Sequence, residues 1–168
     1  MKTQATFCLF AATLLLLADR AAGAPPAITP SSLHPCAFTG AELQLAIGMK
    51  VDKGEAADMT FPGGRDVGCS YAIRGGDLVF SVRQTWEAPA KKAGAAAPQR
   101  AERGLRPPLK GDPDGASWKF PVMGAAGDVS SLELVYTRGS VRTRLILHGG
   151  NFTVANMQPK LLALRRVP

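Results

Sequence analysis

Hydrophobic and polar positions change their spacing several times along this chain, and each change marks an element. Thr39-Gly-Ala-Glu42 has the spacing of a capping box: Thr39 accepts from the backbone at Glu42, and Glu42 reaches back. Phe38 before the box and Leu43 inside it form a hydrophobic staple. Leu43 and Ile47 share one face, and Gly48 suits the left-handed C-terminal cap. The pattern predicts a short helix over 40–47. Strict alternation then takes over, with Val67, Cys69, Tyr71 and Ile73 on one face of a strand over 67–74. Gly75-Gly76-Asp77 is a turn signal, and 78–86 makes the return strand of a first hairpin. A second hairpin follows the same logic. Leu132, Leu134 and Tyr136 alternate, Arg138-Gly139-Ser140 turns, and 141–148 returns. Its last strand puts Val141, Thr143, Leu145 and Leu147 on one face and Arg142, Arg144, Ile146 and His148 on the other. Ser117 to Met123 reads as a short strand before a turn at 124–128.

The tail reads as a helix from Asn156. Asn156 can cap, Pro159 falls in the first turn, and Leu161 and Leu164 form an apolar stripe. Arg165 and Arg166 stand at its C-terminal end, where the helix dipole favours cations. Three stretches lack periodicity. Residues 24–35 are rich in Pro and Ser and read as a flexible lead-in. Residues 50–66 are polar and turn-rich. Residues 88–115 hold almost no large apolar side chains and read as a long mobile connection, with one helical turn around 99–105. The order is helix, hairpin, loop, hairpin, helix. It predicts one α+β domain over 36–168: an antiparallel sheet from two hairpins, with an N-terminal short helix and a C-terminal helix.

The first residues change where this domain is expected to work. Lys2 precedes an apolar run of 14 residues from Ala5 to Ala18, and Ala21 and Gly23 fit the −3 and −1 positions of a signal peptidase site. A membrane span needs roughly 20 apolar residues, so 1–23 reads as a cleavable signal peptide rather than a transmembrane anchor. The expectation is export, to a periplasm or the outside. Cleavage removes Cys8 and leaves Cys36 and Cys69. An even pair in an oxidising compartment is most simply a disulfide, with two reduced buried thiols as the alternative.

Charge is uneven along a chain of formal net charge +7. Residues 24–87 hold 5 basic and 7 acidic residues, whereas 138–168 hold 6 basic residues and no acid. A basic end can meet nucleic acid, anionic lipid or an acidic protein, and export argues against nucleic acid.

Pro35-Cys36, the short capped helix ending in Leu-Ala-Ile-Gly48, and Cys69-Ser-Tyr71 opening a hairpin resemble the small exported lipoprotein domains of unknown function common in actinobacteria. Pro121-Val-Met-Gly124-Ala-Ala-Gly127-Asp128, the following hairpin and the terminal Leu-Leu-Ala-Leu-Arg-Arg run extend the resemblance over roughly residues 34–167. It implies a Cys36–Cys69 pairing and carries over no catalytic residue. The chain departs from that pattern in having no cysteine at a lipidation site, since Cys8 lies inside the apolar run.

Chemistry-bearing residues are sparse. His34 lies in the lead-in and His148 ends a strand, which is too little for a metal site once the cysteines pair. No G-x-S-x-G elbow is present. Asp112-Pro-Asp114-Gly115 has the start of a calcium loop without its later ligands. Asn151-Phe-Thr153 matches a glycosylation sequon. The expectation is therefore a non-catalytic protein without cofactor or metal that binds another protein or an anionic envelope surface. Arg138, Arg142, Arg144, Arg165 and Arg166 are the candidate contact residues. An inhibitor or immunity-type protein acting through 88–115 is the alternative, and a small hydrolase the third reading.

Overall fold

A computed structural model describes residues 29–75, 77–88, 104–123, 129–150 and 152–165. Residues 1–28, where a signal peptide is expected, Gly76, residues 89–103 of the 88–115 connection, the expected turn at 124–128, Asn151 and residues 166–168, Arg166 included, lie outside the described residues. The elements are α1 (Gly40–Ile47), β1 (Glu55–Phe61), β2 (Gly64–Ile73), β3 (Leu78–Glu87), β4 (Ser117–Met123), β5 (Val129–Arg138), β6 (Val141–His148) and α2 (Val154–Ala163). The six strands form one antiparallel sheet in the order β1-β2-β3-β6-β5-β4, with two helices, which is an α+β arrangement dominated by sheet.

Both capping signals of α1 are realised. The Thr39 hydroxyl accepts from the Glu42 N–H at 3.2 Å, and the Glu42 carboxylate accepts from the Thr39 N–H at 2.8 Å. Gly48 ends the helix at φ 82°, a left-handed conformation that costs glycine little. Val67, Cys69, Tyr71 and Ile73 of β2 are buried, as are Leu78, Phe80 and Val82 of β3. So are Leu132, Leu134 and Tyr136 of β5 and Val141, Leu145 and Leu147 of β6. These positions form the helix-side face of the sheet. Phe38, Leu43 and Ile47, with Met157, Leu161 and Leu164 from α2, close over most of it as one cluster. Tyr71 donates its hydroxyl to the Phe38 carbonyl at 2.7 Å, so this buried phenol is also satisfied. Lys160 of α2 donates to the Ile47 carbonyl at 2.6 Å, placing a cation on the C-terminal end of α1. Cys36 and Cys69 form a disulfide with Cα atoms 5.0 Å apart, joining the approach to α1 with β2.

The structure corrects the sequence reading at several points. Residues 50–66 are not a turn-rich connection: they contain all of β1 and the start of β2, paired from Glu55↔Ser70 to Phe61↔Gly64. β1 is an edge strand whose residues 55–60 are exposed on both faces, so it carries no alternation to detect. The sheet accordingly has more than two hairpins' worth of strands. α2 starts at Val154 with Thr153 at its N-cap, not at Asn156, which puts Pro159 inside the helix instead of its first turn. Leu161 and Leu164 face inward from it, as the stripe required.

The unpatterned segments also take part in packing where they are described. Within the lead-in, Pro30–Ser32 form a 3-10 turn, Leu33 is buried with Val67 and Val141, and Arg65 donates to the Pro30 carbonyl at 2.5 Å. Within the 88–115 connection, residues 105–109 run back along the start of β4. Leu105 bridges to Lys119, the Arg106 N–H donates to the Trp118 carbonyl at 2.7 Å, and the Leu109 N–H donates to the Ala116 carbonyl at 2.7 Å. The start of this sheet edge is thus covered by the chain's own backbone.

Candidate functional site

The face of the sheet opposite the helices carries the charge. Strand alternation that sends Val141, Thr143, Leu145 and Leu147 inward sends Arg142 and Arg144 outward. Register then sets their neighbours. Arg144 lies opposite Arg83 on β3 and Val135 on β5. Arg142 lies opposite Thr85 on β3 and Thr137 on β5. A groove of about 770 Å³ crosses this face, with Arg83, Arg142 and Arg144 on its floor and Leu105, Ser117, Glu87 and Ser140 among its margins.

Two arginines directly opposite one another repel, and each needs a counter-charge. Arg83 takes its own from β2: both oxygens of Asp66 accept from it, with Nε at 2.9 and 2.8 Å. That hydrogen bond raises the Arg83 pKa above its ordinary value. Arg144 takes its counter-charge from β5, donating to Glu133, which also meets Lys119 of β4 at 3.4 Å. Glu133 is itself buried, beneath these two cations. Arg142 lies two residues from Arg144 on the side away from Glu133, which stands opposite Ile146. Burial lowers its pKa, the like charge of Arg144 lowers it further, and Glu87 opposes both.

The four candidate arginines among the described residues divide between two places. Arg142 and Arg144 share the groove with Arg83, which the sequence reading did not single out. Its signal was its outward register position opposite Arg144, legible only once β3 and β6 are known to pair. Arg138 and Arg165 gather instead at the inward-facing Tyr136, with their guanidinium carbons 5.3 and 5.9 Å from its ring centroid. Arg138 donates to Asp114 at 2.9 Å and to the Arg165 carbonyl at 2.8 Å, and Arg165 donates to Asp112.

The carboxylates of the calcium-like 112–115 turn therefore already bind Arg165 and Arg138. Asp112 additionally accepts from the N–H groups of Asp114 at 3.0 Å and Ala116 at 3.1 Å. His34 and His148 are both exposed. Among the described residues, the groove is lined by the hydroxyls of Thr85, Ser117, Thr137 and Ser140 and by no histidine. Its chemistry is that of a donor-rich, cation-centred recess, suited to holding an oxyanion.

Comparison with known proteins finds no matching family model, no matching curated protein and no matching solved structure.

Proposed function

We propose that this chain is an exported, non-catalytic binding domain that engages an anionic partner with the helix-free face of its sheet. The observation that carries the reading is the convergence of Arg83, Arg142 and Arg144 on the floor of one groove. Arginine's planar fork matches carboxylate and phosphate oxygens, and hydroxyls at the margins add further donors. Export is supported by the apolar N-terminal run, by the Cys36–Cys69 disulfide, and by the fact that no helix among the described residues is long and apolar enough to cross a membrane. The resemblance to small exported lipoprotein domains points the same way.

Co-sedimentation of the protein with an envelope fraction, at low and at raised salt, tests this reading. Binding should weaken as salt rises, because exposed charges are screened beyond roughly 8 Å at physiological ionic strength. It should be lost in Arg142→Glu, with thermal unfolding confirming that the variant folds. Binding that ignores salt and survives the charge reversal would remove this face from consideration.

A further inference from the structure

A second recess lies on the other face of the sheet from the arginine groove, and strand register sets its floor. Asp58 lies opposite Val67, Thr60 opposite Arg65, and Arg65 opposite Trp86. Alternation therefore puts Asp58, Thr60, Arg65 and Trp86 on the face of the inward-pointing Val67. The helices do not supply the packing at this end. Val67 and Val141 are buried with Leu33 of the lead-in, and the half-buried Trp86 packs against that cluster. Pro30, Ser31 and Phe61 complete an open recess of about 810 Å³. A Cβ at Gly64 would meet the Phe61 ring and the Trp86 carbonyl, so only glycine there lets Phe61 lie against the sheet.

The polar groups of the recess are fixed and electrically balanced. Nε and Nη2 of Arg65 donate to the two oxygens of Asp58 at 3.0 and 2.6 Å, and Nη1 donates to the Pro30 carbonyl at 2.5 Å. The two charges offset each other, so neither an anion nor a cation gains a large net attraction. The pair still has hydrogen bonds to offer. Three of the five guanidinium N–H groups are engaged, and each Asp58 oxygen keeps acceptor capacity. Among the described residues, the Thr60 hydroxyl and the Trp86 indole N–H have no hydrogen-bond partner.

An indole beside a neutralised set of donors and acceptors matches a sugar ring. The ring's C–H face lies on the aromatic surface, and its adjacent hydroxyls donate to a carboxylate while accepting from a guanidinium. A proline-rich segment also lies well on an aromatic side chain, but it brings carbonyl acceptors and few N–H donors. It would cover the Asp58 oxygens without offering them a donor, which costs free energy. We propose that the recess binds a neutral saccharide, with one sugar ring stacked on Trp86 and two of its hydroxyls bridging Asp58 and Arg65. The site is separate from the outer face and does not depend on the anionic partner proposed for it.

The test applies the full chain to an array of neutral, acidic and amino-sugar oligosaccharides and titrates the strongest neutral ligand in solution, with decaproline titrated in parallel. Neutral oligosaccharides should bind in preference to acidic ones, and their binding should not change with salt, unlike that of the outer face. Asp58→Asn, on the exposed edge strand, should lose about tenfold in affinity, the size expected for one charge-assisted hydrogen bond. Arg74→Gln, in the exposed pair with Asp52, should leave the affinity unchanged. On the wild-type protein, backbone NMR shifts induced by the saccharide should centre on Thr60, Arg65 and Trp86, a readout independent of whether any variant folds. No neutral ligand on the array, equal losses in both variants, or shifts centred on Arg83 and Arg144 would overturn the proposal. Decaproline shifting Thr60, Arg65 and Trp86 with no response to saccharide would overturn it too, and would give the recess to a proline-rich segment.

Discussion

Arg165, just beyond α2, donates to the carboxylate of Asp112, 53 residues earlier. The contact fixes the end of α2 to the turn that precedes β4, and Asp114 and Arg138 extend it into a four-residue network around Tyr136. Burial pushes the Asp112 carboxyl up, but hydrogen bonds from the Ala116 N–H, Arg165 and the Asp114 N–H outweigh it and hold the group below its ordinary value.

A depressed carboxyl pKa stabilises the fold above the unfolded value, near about 3.9, and that stability is lost as pH falls through the lower folded value. Urea denaturation should therefore show stability falling below about pH 4. In Asp112→Asn the loss should already be present at neutral pH and the acid limb should flatten. Asp58, held low by hydrogen bonds from Arg65, retains part of that limb. An unchanged acid limb in Asp112→Asn would show that the network contributes nothing to acid sensitivity.

Tyr136 gives the opposite limb. Burial pushes its pKa up to about 12, against the nearby positive charges of Arg138 and Arg165 and a hydrogen bond with Thr143. An acid whose folded pKa is raised keeps its proton in the fold after the unfolded chain has lost it, so stability should fall between about pH 10 and pH 12. A two-unit shift corresponds to about 2 to 3 kcal/mol across that window. Tyr136→Phe should remove most of this alkaline loss, leaving the smaller part due to Tyr71, whose pKa is also raised by burial. Ultraviolet absorbance of tyrosinate, followed alongside unfolding, separates the two.

The Cys36–Cys69 bond closes a separation of 33 residues, and the chain-entropy model assigns such a loop about 3 to 4 kcal/mol. Cys36→Ser should lower stability by about that amount. Labelling of denatured, unreduced protein should find neither Cys36 nor Cys69 reactive, so Cys8 is the only thiol to label in a chain that retains it.

Glu133 should couple to Arg144 in a double-mutant cycle. Glu133→Ala removes the buried counter-charge of Arg144 and Lys119 and should cost about 1 to 3 kcal/mol. Removing Arg144 together with Glu133 should cost less than the two single changes summed, because the second change deletes the charge the first one stranded. Strict additivity, measured by urea denaturation, would show that the pair does not act as a unit.

What the sequence by itself determined about this protein is what local rules govern. The helix over 40–47 rests on contacts no more than a few residues apart: Thr39 with Glu42, and Gly48 with Gln44. The inward faces of β2, β3, β5 and β6 are legible because a half-buried strand must alternate, and the outward direction of Arg142 and Arg144 follows from the same rule. Only the tertiary structure decided the rest. β1 buries neither face and is a strand solely because β2 offers it a ladder of backbone partners, which leaves no trace in its side chains. The four proposed arginines among the described residues fall into two clusters because strand order brings Arg83 beside Arg144 and chain return brings Arg165 to Asp112. Both pairings span distant segments, and the energy of an ion pair depends on a distance in space that separation along the chain does not encode.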